Sequence, residues 1–193
     1  MQNLFGATLT HRCVRLEPIA ERHREGLNAA ANSAPDIFRH MPSIALMGGY
    51  SGYFDWLLGE QEAGRWLPFA VIAPDENIVG NSCYLDIRPS DRGVEIGGTW
   101  YSPIAQGTKI NPAAKYLLLE HAFASGAERV ALKTDALNER SRAAILKLGA
   151  SFEGIHRRHM RRANGTWRDT AWYSILREEW PQVRSGLEAR LAT

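Results

Sequence analysis

The chain predicts an α/β domain of the α+β kind, a mixed and mostly antiparallel twisted sheet flanked by helices. Three observations predict it. Strand-like runs rich in branched and aromatic residues alternate with helical patterns along the whole length. A strand–helix–strand passage in the second half requires a crossover connection. The pair Asn164-Gly165 between two strand-like runs is a strong hairpin signal. With 193 residues, the chain is long enough for one core and short for two, so residues 1–193 are expected to form a single domain.

The elements follow in order. Thr10 to Ile19 reads as one strand, and Glu21 to Ala31 as a helix that is polar on one side. Ser33 to Gly49, with Pro35, Pro42 and Gly48-Gly49, reads as irregular. Tyr50 to Gly64 carries Tyr53, Phe54, Leu57 and Leu58 at helical spacing. Trp66 to Ala73 and Ile78 to Ile87 form a strand pair around the turn Pro74 to Asn77. Val94 to Tyr101 is a further strand. The helix from Pro112 to about Ser125 is apolar on most sides and is expected to be buried. Arg129 to Thr134 is a short strand, and Glu139 to Leu148 a helix stopped by Gly149. Ser151 to Arg162 and Trp167 to Leu176 make the hairpin. Arg177 to Leu191 is a charged helix expected on the surface, residues 181–193 included.

Composition narrows the function. Apolar residues make up 45% and charged residues 23%, an ordinary soluble balance, and a net charge of +2 is too small to argue for nucleic acid. Cys13 and Cys83 have no metal-type spacing and fit a reducing compartment as core thiols. Without a secretory pattern or an apolar run near the ~18 residues that span a bilayer, the expectation is a cytoplasmic protein with no membrane partner.

One stretch carries most of the chemistry, Tyr101 through Lys115, where a strand gives way to a helix. Gly107 allows close approach of backbone to a ligand, Thr108 adds a hydroxyl and Lys109 a positive charge. Asn111 reads as the N-cap and Pro112 as the first helical residue. Free amides and the positive end of the helix dipole then make an anion site, so a phosphate-bearing ligand is expected.

This loop and the order of elements resemble the GNAT superfamily of acyl-CoA-dependent N-acyltransferases, over about residues 9–180. The likeness is greatest to the branch that includes the ribosomal-protein N-terminal alanine acetyltransferases. The family's pyrophosphate loop reads Gln/Arg-x-x-Gly-x-Gly/Ala. Here those positions are Gln106, Gly107, Thr108, Lys109, Ile110 and Asn111, with Lys109 and Asn111 where the family has glycine. A second passage, Asn138 to Phe152, is similar to the family's Asn-x-x-Ser helix. The resemblance implies that acetyl-CoA is the co-substrate, with no metal, and that central strands splay in a V. It implies that Trp100, Tyr101, Gln106 to Asn111, Asn138 and Ser141 bind coenzyme A. Ser141 would also stabilise or protonate the departing thiolate, since Ile145 stands where many members place a tyrosine.

Glu95 lies on the strand Val94-Glu95-Ile96-Gly97-Gly98-Thr99-Trp100. Two glycines weaken a strand unless the backbone bends there, and a bulge would aim an amide at the thioester carbonyl, as the family's fourth strand does. Glu95 then accepts a proton from the attacking amine, or it pairs with an arginine at the sheet edge; both readings stand. Asn138 and Ser141 likewise read either as site residues or as a helix cap and its solvated face.

The run His156 to Arg162 reads as a solvated hairpin, with contact to an acidic substrate, the cofactor's 3′-phosphate or RNA as the functional alternative. On a regular strand His156 and His159 face opposite ways and make no metal site. Asp169 is expected to pair with a hairpin arginine, and His121 to be a satisfied core histidine. Arg39 to Pro42 and Tyr50 fall in the region that the resembling family closes over its acceptor. An amine-bearing acceptor is implied, a peptide N-terminus or a small molecule. A homodimer is compatible with the exposed final helix and hairpin edge. A non-catalytic coenzyme A-binding module and a ribosome- or RNA-binding protein are the competing classes.

Overall fold

The structure, a computed structural model, describes residues 4–34, 36–41, 47–162 and 164–192. Pro35 and Pro42 of the stretch read as irregular lie outside the described residues. Among those described, eight strands form one sheet in the order β1-β2-β3-β4-β5-β6-β8-β7. They are β1 (Leu9–His11), β2 (Val14–Pro18), β3 (Leu67–Ile72), β4 (Ile78–Arg88), β5 (Gly93–Tyr101), β6 (Arg129–Asp135), β7 (Ser151–Arg161) and β8 (Trp167–Leu176). Of these, only β5 and β6 pair in parallel; every other pair is antiparallel.

Among the described residues, five α-helices cover the two faces: α1 (Arg24–Ala31), α2 (Tyr50–Glu62), α3 (Ile110–Ala124), α4 (Glu139–Leu148) and α5 (Trp180–Ala192). The central strand β3, Leu-Pro-Phe-Ala-Val-Ile, is buried at every residue because helices lie on both sides of it. One apolar cluster joins α3, α4 and α5 to Leu16, Phe69, Tyr84, Ile96 and Tyr173. The other joins α1 and α2 to Ala70, Cys83, Leu85 and Trp100. Between these two layers β5 parts from β6 after Glu95.

Three expectations need correction. Thr10 to Ile19 is not one strand: the chain reverses at Arg12-Cys13 and pairs β1 with β2, with His11↔Val14 as the closing pair. The reversal is local, the Cys13 amide donating to His11 Nδ1 at 3.2 Å. The final helix is not purely superficial. Trp180, Val183, Leu187 and Leu191 recur every three or four residues and are buried against α3. Trp180 also donates its indole N–H to Glu120 at 3.1 Å.

The third correction concerns the outer hairpin. Its register shifts between His156 and Met160, and Arg158 has φ +50°. That irregularity cancels the strict alternation of a strand. His156 and His159 therefore stand together, ring centroids 5.5 Å apart, both against Trp172. No group of three or more metal-ligating side chains occurs among the described residues. A bulge and charged side chains are features that disfavour edge-to-edge strand pairing. No helix among the described residues is long and apolar enough to cross a membrane.

Candidate active site

Parallel pairing of β5 and β6 covers only Gly93–Glu95 against Arg129–Ala131. Beyond Glu95 the two strands no longer pair with each other, and a wedge opens. This is the splay that the resemblance implied. A bulge on the other edge of β5 reinforces it: Asn81 faces Trp100 while Cys83 faces Gly97, so β5 holds one residue more than β4. Gly98 takes φ +57°, a conformation that a side chain would strain. The bulge is held by Asn81, whose amide donates to the Gly98 carbonyl at 2.8 Å. Asn81 Oδ1 in turn accepts from Tyr50 Oη at 2.9 Å and from the Trp100 indole.

Glu95 sits at the vertex of the wedge and is 1% exposed. Lys133 Nζ on β6 donates to its Oε2 at 2.7 Å, so its partner is a lysine and not the expected arginine. Its Oε1 is buried with no hydrogen-bond partner. Gly97 makes room for that oxygen, since a Cβ there would stand 2.8 Å from it. Burial raises the Glu95 pKa, and Lys133 opposes the rise.

The loop after β5 departs from expectation in one respect. Helix α3 begins at Ile110, so Asn111 and Pro112 lie inside its first turn and Asn111 is not the N-cap. Thr108 does the capping: its hydroxyl accepts from the Ile110 amide at 3.2 Å and donates to the Ala105 carbonyl at 2.7 Å. Pro112 brings no N–H to a turn that has no intrahelical partner for one. Asn111 Oδ1 is buried without a partner. Gly107 has φ +76°, and a Cβ on it would meet nothing within 4 Å. An open approach, a positive φ and a helix N-terminus together fit a diphosphate. Lys109 is exposed and reaches the Leu191 carbonyl at 3.3 Å, so its charge is tethered to the end of α5.

Gln106 joins this loop to its neighbours. It donates to the Tyr101 carbonyl at 2.8 Å and accepts from Arg140 of α4 at 2.7 Å. Arg140 lies in the Asn-x-x-Ser passage, yet nothing in that pattern singled it out. Asn138 caps α4 by accepting from the Ser141 amide at 3.0 Å, as the capping reading expected. The Ser141 hydroxyl is half-exposed and has no hydrogen bond among the described residues. Trp100 and Tyr101 bury their side chains in the two different apolar clusters. The Trp100 ring is packed against Phe38 and Tyr50, and the Tyr101 hydroxyl is buried without a partner. Both side chains are buried, so the part of each residue that suits a ligand here is its main chain.

Across the wedge, side chains dominate. Asp135, 1% exposed, accepts from Arg162 at 2.8 Å and from the Leu137 amide at 3.0 Å. Burial would raise its pKa, but those donors outweigh it and hold the carboxyl below the usual range. Arg162 is therefore no solvated hairpin residue, whereas Arg157, Arg158 and Arg161 are exposed. Asp169 accepts from the Arg158 backbone amide at 2.7 Å, not from a guanidinium. His121 Nε2 contacts the Leu4 carbonyl at 3.1 Å, as a satisfied histidine would.

A buried lysine, Lys115 of α3, was not foreseen. It is 6% exposed, and its Nζ lies 2.7 Å from Thr99 Oγ1 and 3.2 Å from Ser82 Oγ. Burial lowers its pKa to about 7. Thr99 flanks the bulge, so this lysine supports β5 from the side of α3.

Residues 14–151 match the model of the acetyltransferase (GNAT) domain. The fold is close to a Thermus thermophilus protein described as an acetyltransferase, with TM-score 0.85 and 34% identity over 97% of this chain and 98% of that one. A GCN5-related N-acetyltransferase from Brucella melitensis gives TM-score 0.84 and 30% identity over 96% and 85%. Mycobacterium smegmatis RimJ, solved with CoA-disulfide, shares the fold at TM-score 0.81 and 24% identity over 98% and 97%. A comparison with curated protein sequences finds no match.

Proposed function

The chain belongs to the GNAT acetyltransferase family, and from that premise we propose that it transfers an acetyl group from acetyl-CoA to a primary amine by direct attack. The acceptor in this reading is a peptide N-terminus or a small amine. The carrying observation is Glu95 at the vertex of the wedge, buried, with Oε1 free of any partner. An ammonium entering the wedge would find there the one acceptor it needs.

Acetyl-CoA, when bound, supplies the acetyl group as a thioester. Gly107, Thr108 and the first turn of α3 would hold its diphosphate, and the main chain of β5 from Gly98 to Tyr101 would align the arm. Amines of lysine type are mostly protonated at neutral pH, so a base is required. Glu95 takes that proton, and Lys133 opposes the rise in pKa that burial imposes on it. The Gly98 bulge, fixed by Asn81, presents amide dipole to the reacting carbonyl. Ser141, at the start of α4, donates to the leaving sulfur. No acyl-enzyme is invoked, because the thiol nearest the bulge, Cys83, is fully buried with its pKa pushed up to about 12. Positioning two reactants in one wedge supplies about 7–11 kcal/mol of such a barrier.

The test is thiol release from acetyl-CoA with a panel of primary amines and peptide N-termini, beside calorimetric titration of coenzyme A. Amine-dependent release supports the proposal. Tight coenzyme A binding with no release from any amine would replace it with a non-catalytic binding module.

A further inference from the structure

The charges on the acceptor side of the wedge do not balance. Glu95, Lys133, Asp135 and Arg168 lie on the sheet face that α1 and α2 cover: Lys133 pairs with Trp172 and Asp135 with Thr170 across β6 and β8, and Arg168 is two residues before Thr170 on the same strand. Lys133 is matched by Glu95, and Arg162 by Asp135. Arg168 has no carboxylate partner among the described residues. It is 7% exposed; its Nη1 donates to the His40 carbonyl at 3.3 Å, and its Nε has no hydrogen-bond partner.

A buried guanidinium stays charged, because arginine does not give up its proton in a protein. An unpaired buried cation is costly, so one that persists implies a counter-ion from outside. The surplus is felt nearby. His159, bonded to Thr170 Oγ1 at 3.1 Å, has its pKa lowered by burial and then by Lys133, His156 and Arg168. Of the carboxylates, Asp135 acts on Arg168 more strongly than Glu95 does, and strand register sets all three side chains on one face of the sheet.

We infer that Arg168 is an anion-recognition residue and that the acceptor is an amine which also carries a carboxylate. This inference rests on the transferase reading. The carboxylate pairs with the fork of the guanidinium while the amine reaches Glu95 Oε1. Two sources present that chemistry: the carboxylate of a free amino acid, and an acidic side chain near a peptide N-terminus.

Matched acceptors test it: β-alanine against β-alaninamide, and Ser-Asp-amide against Ser-Asn-amide, each with the wild type and with Arg168→Gln. At least one acidic acceptor should exceed its neutral partner about tenfold in kcat/KM, and the pair that shows the gap names the source. Arg168→Gln should lower kcat/KM for that acid by about 10- to 100-fold and leave the neutral partner within about threefold. Coenzyme A affinity should not change. Equal rates within both wild-type pairs, or an equal loss for acid and amide in the variant, would overturn the inference. Arg168→Lys serves if Arg168→Gln fails to fold, and the wild-type comparison decides without either.

Binding separates this from the reaction itself. The N-acetyl forms of the same compounds, titrated into the protein, read charge preference without turnover. Preference for the acid in a protein that transfers nothing sinks the transferase reading and leaves the anion site standing. Turnover without that preference does the reverse.

Discussion

The two sides of the wedge are made of different materials. On the α3 side the candidate groups belong to the main chain: the Gly98 bulge, the Gly107 turn, the Thr108 cap and the first turn of the helix. Side chains there are engaged elsewhere: Tyr101 is buried in the core and Lys109 reaches the Leu191 carbonyl. On the opposite side the candidate groups are charged side chains from three strands and a hairpin. A backbone site suits a ligand that is always the same, because amides at a helix start recognise any diphosphate. A side-chain site can be altered one residue at a time, which suits an acceptor that differs between enzymes of one fold.

The largest expected effect breaks the side-chain half. Glu95→Gln should reduce kcat/KM by about 100-fold or more, as loss of a general base does, while coenzyme A affinity holds. A drop below about threefold would remove Glu95 from the chemistry. The pH profile sharpens the test. Only ionised Glu95 accepts a proton, so activity should fall as pH drops through its raised pKa. Lys133 opposes that rise, so Lys133→Met should move the acid limb to higher pH, and Glu95→Gln should abolish the limb. An unmoved limb in Lys133→Met would assign it to another group.

The same contrast explains what the sequence revealed. Glycine, proline and hydroxyl residues mark backbone conformations locally, so Gly97-Gly98, Gly107 and the Asn164-Gly165 turn were legible as letters. The helix α3 was legible too, but its start was misplaced by two residues. A single Thr hydroxyl at Thr108 caps as well as Asn111 would, and Pro is tolerated anywhere in the first turn. On the acceptor side Glu95 was legible as a candidate, but its partners were not. Glu95 and Lys133 lie 38 residues apart, Asp135 and Arg162 lie 27 apart, and only the sheet order brings them together. Arg162 and Arg168 were hidden inside a basic hairpin that reads as solvated, because composition does not tell an inward arginine from an outward one. The bulge at Arg158, which puts His156 beside His159, carries no glycine to announce it.

An intermediate effect tests the backbone half. Gly107→Val forces a β-branched residue toward a positive φ. Restoring that conformation on binding costs about 1–2 kcal/mol, which should weaken coenzyme A by about 5- to 30-fold. The acceptor KM should stay put. Lys109→Glu should weaken it less, by about threefold, because an exposed charge is screened. If the order were reversed, with Lys109 dominant, the cofactor side would depend on side chains after all and the contrast between the halves would fail.

The smallest expected effect on catalysis comes from Lys115→Met, and it bears on the one charged side chain that α3 sends toward the bulge. Thr99 and Ser82 remain bonded to each other at 2.7 Å without the lysine, so the bulge keeps its support and kcat/KM should stay within about threefold. Stability should change instead. The folded protein releases the Lys115 proton near pH 7, while the unfolded chain keeps it until about 10.5. Below pH 7 both states are charged, and burying that charge costs the folded protein on the order of a few kcal/mol. Between those two values the unfolded state holds the extra proton, so stability rises with pH and the cost fades. Lys115→Met should therefore raise Tm most below pH 7, and the gap to wild type should close as pH approaches 10.5. Thermal melts of both proteins from pH 6 to pH 10 read this directly. A gap that stays constant across the range would mean that Lys115 is not buried as a charge, and a large loss of kcat would make it a positioning residue for the bulge.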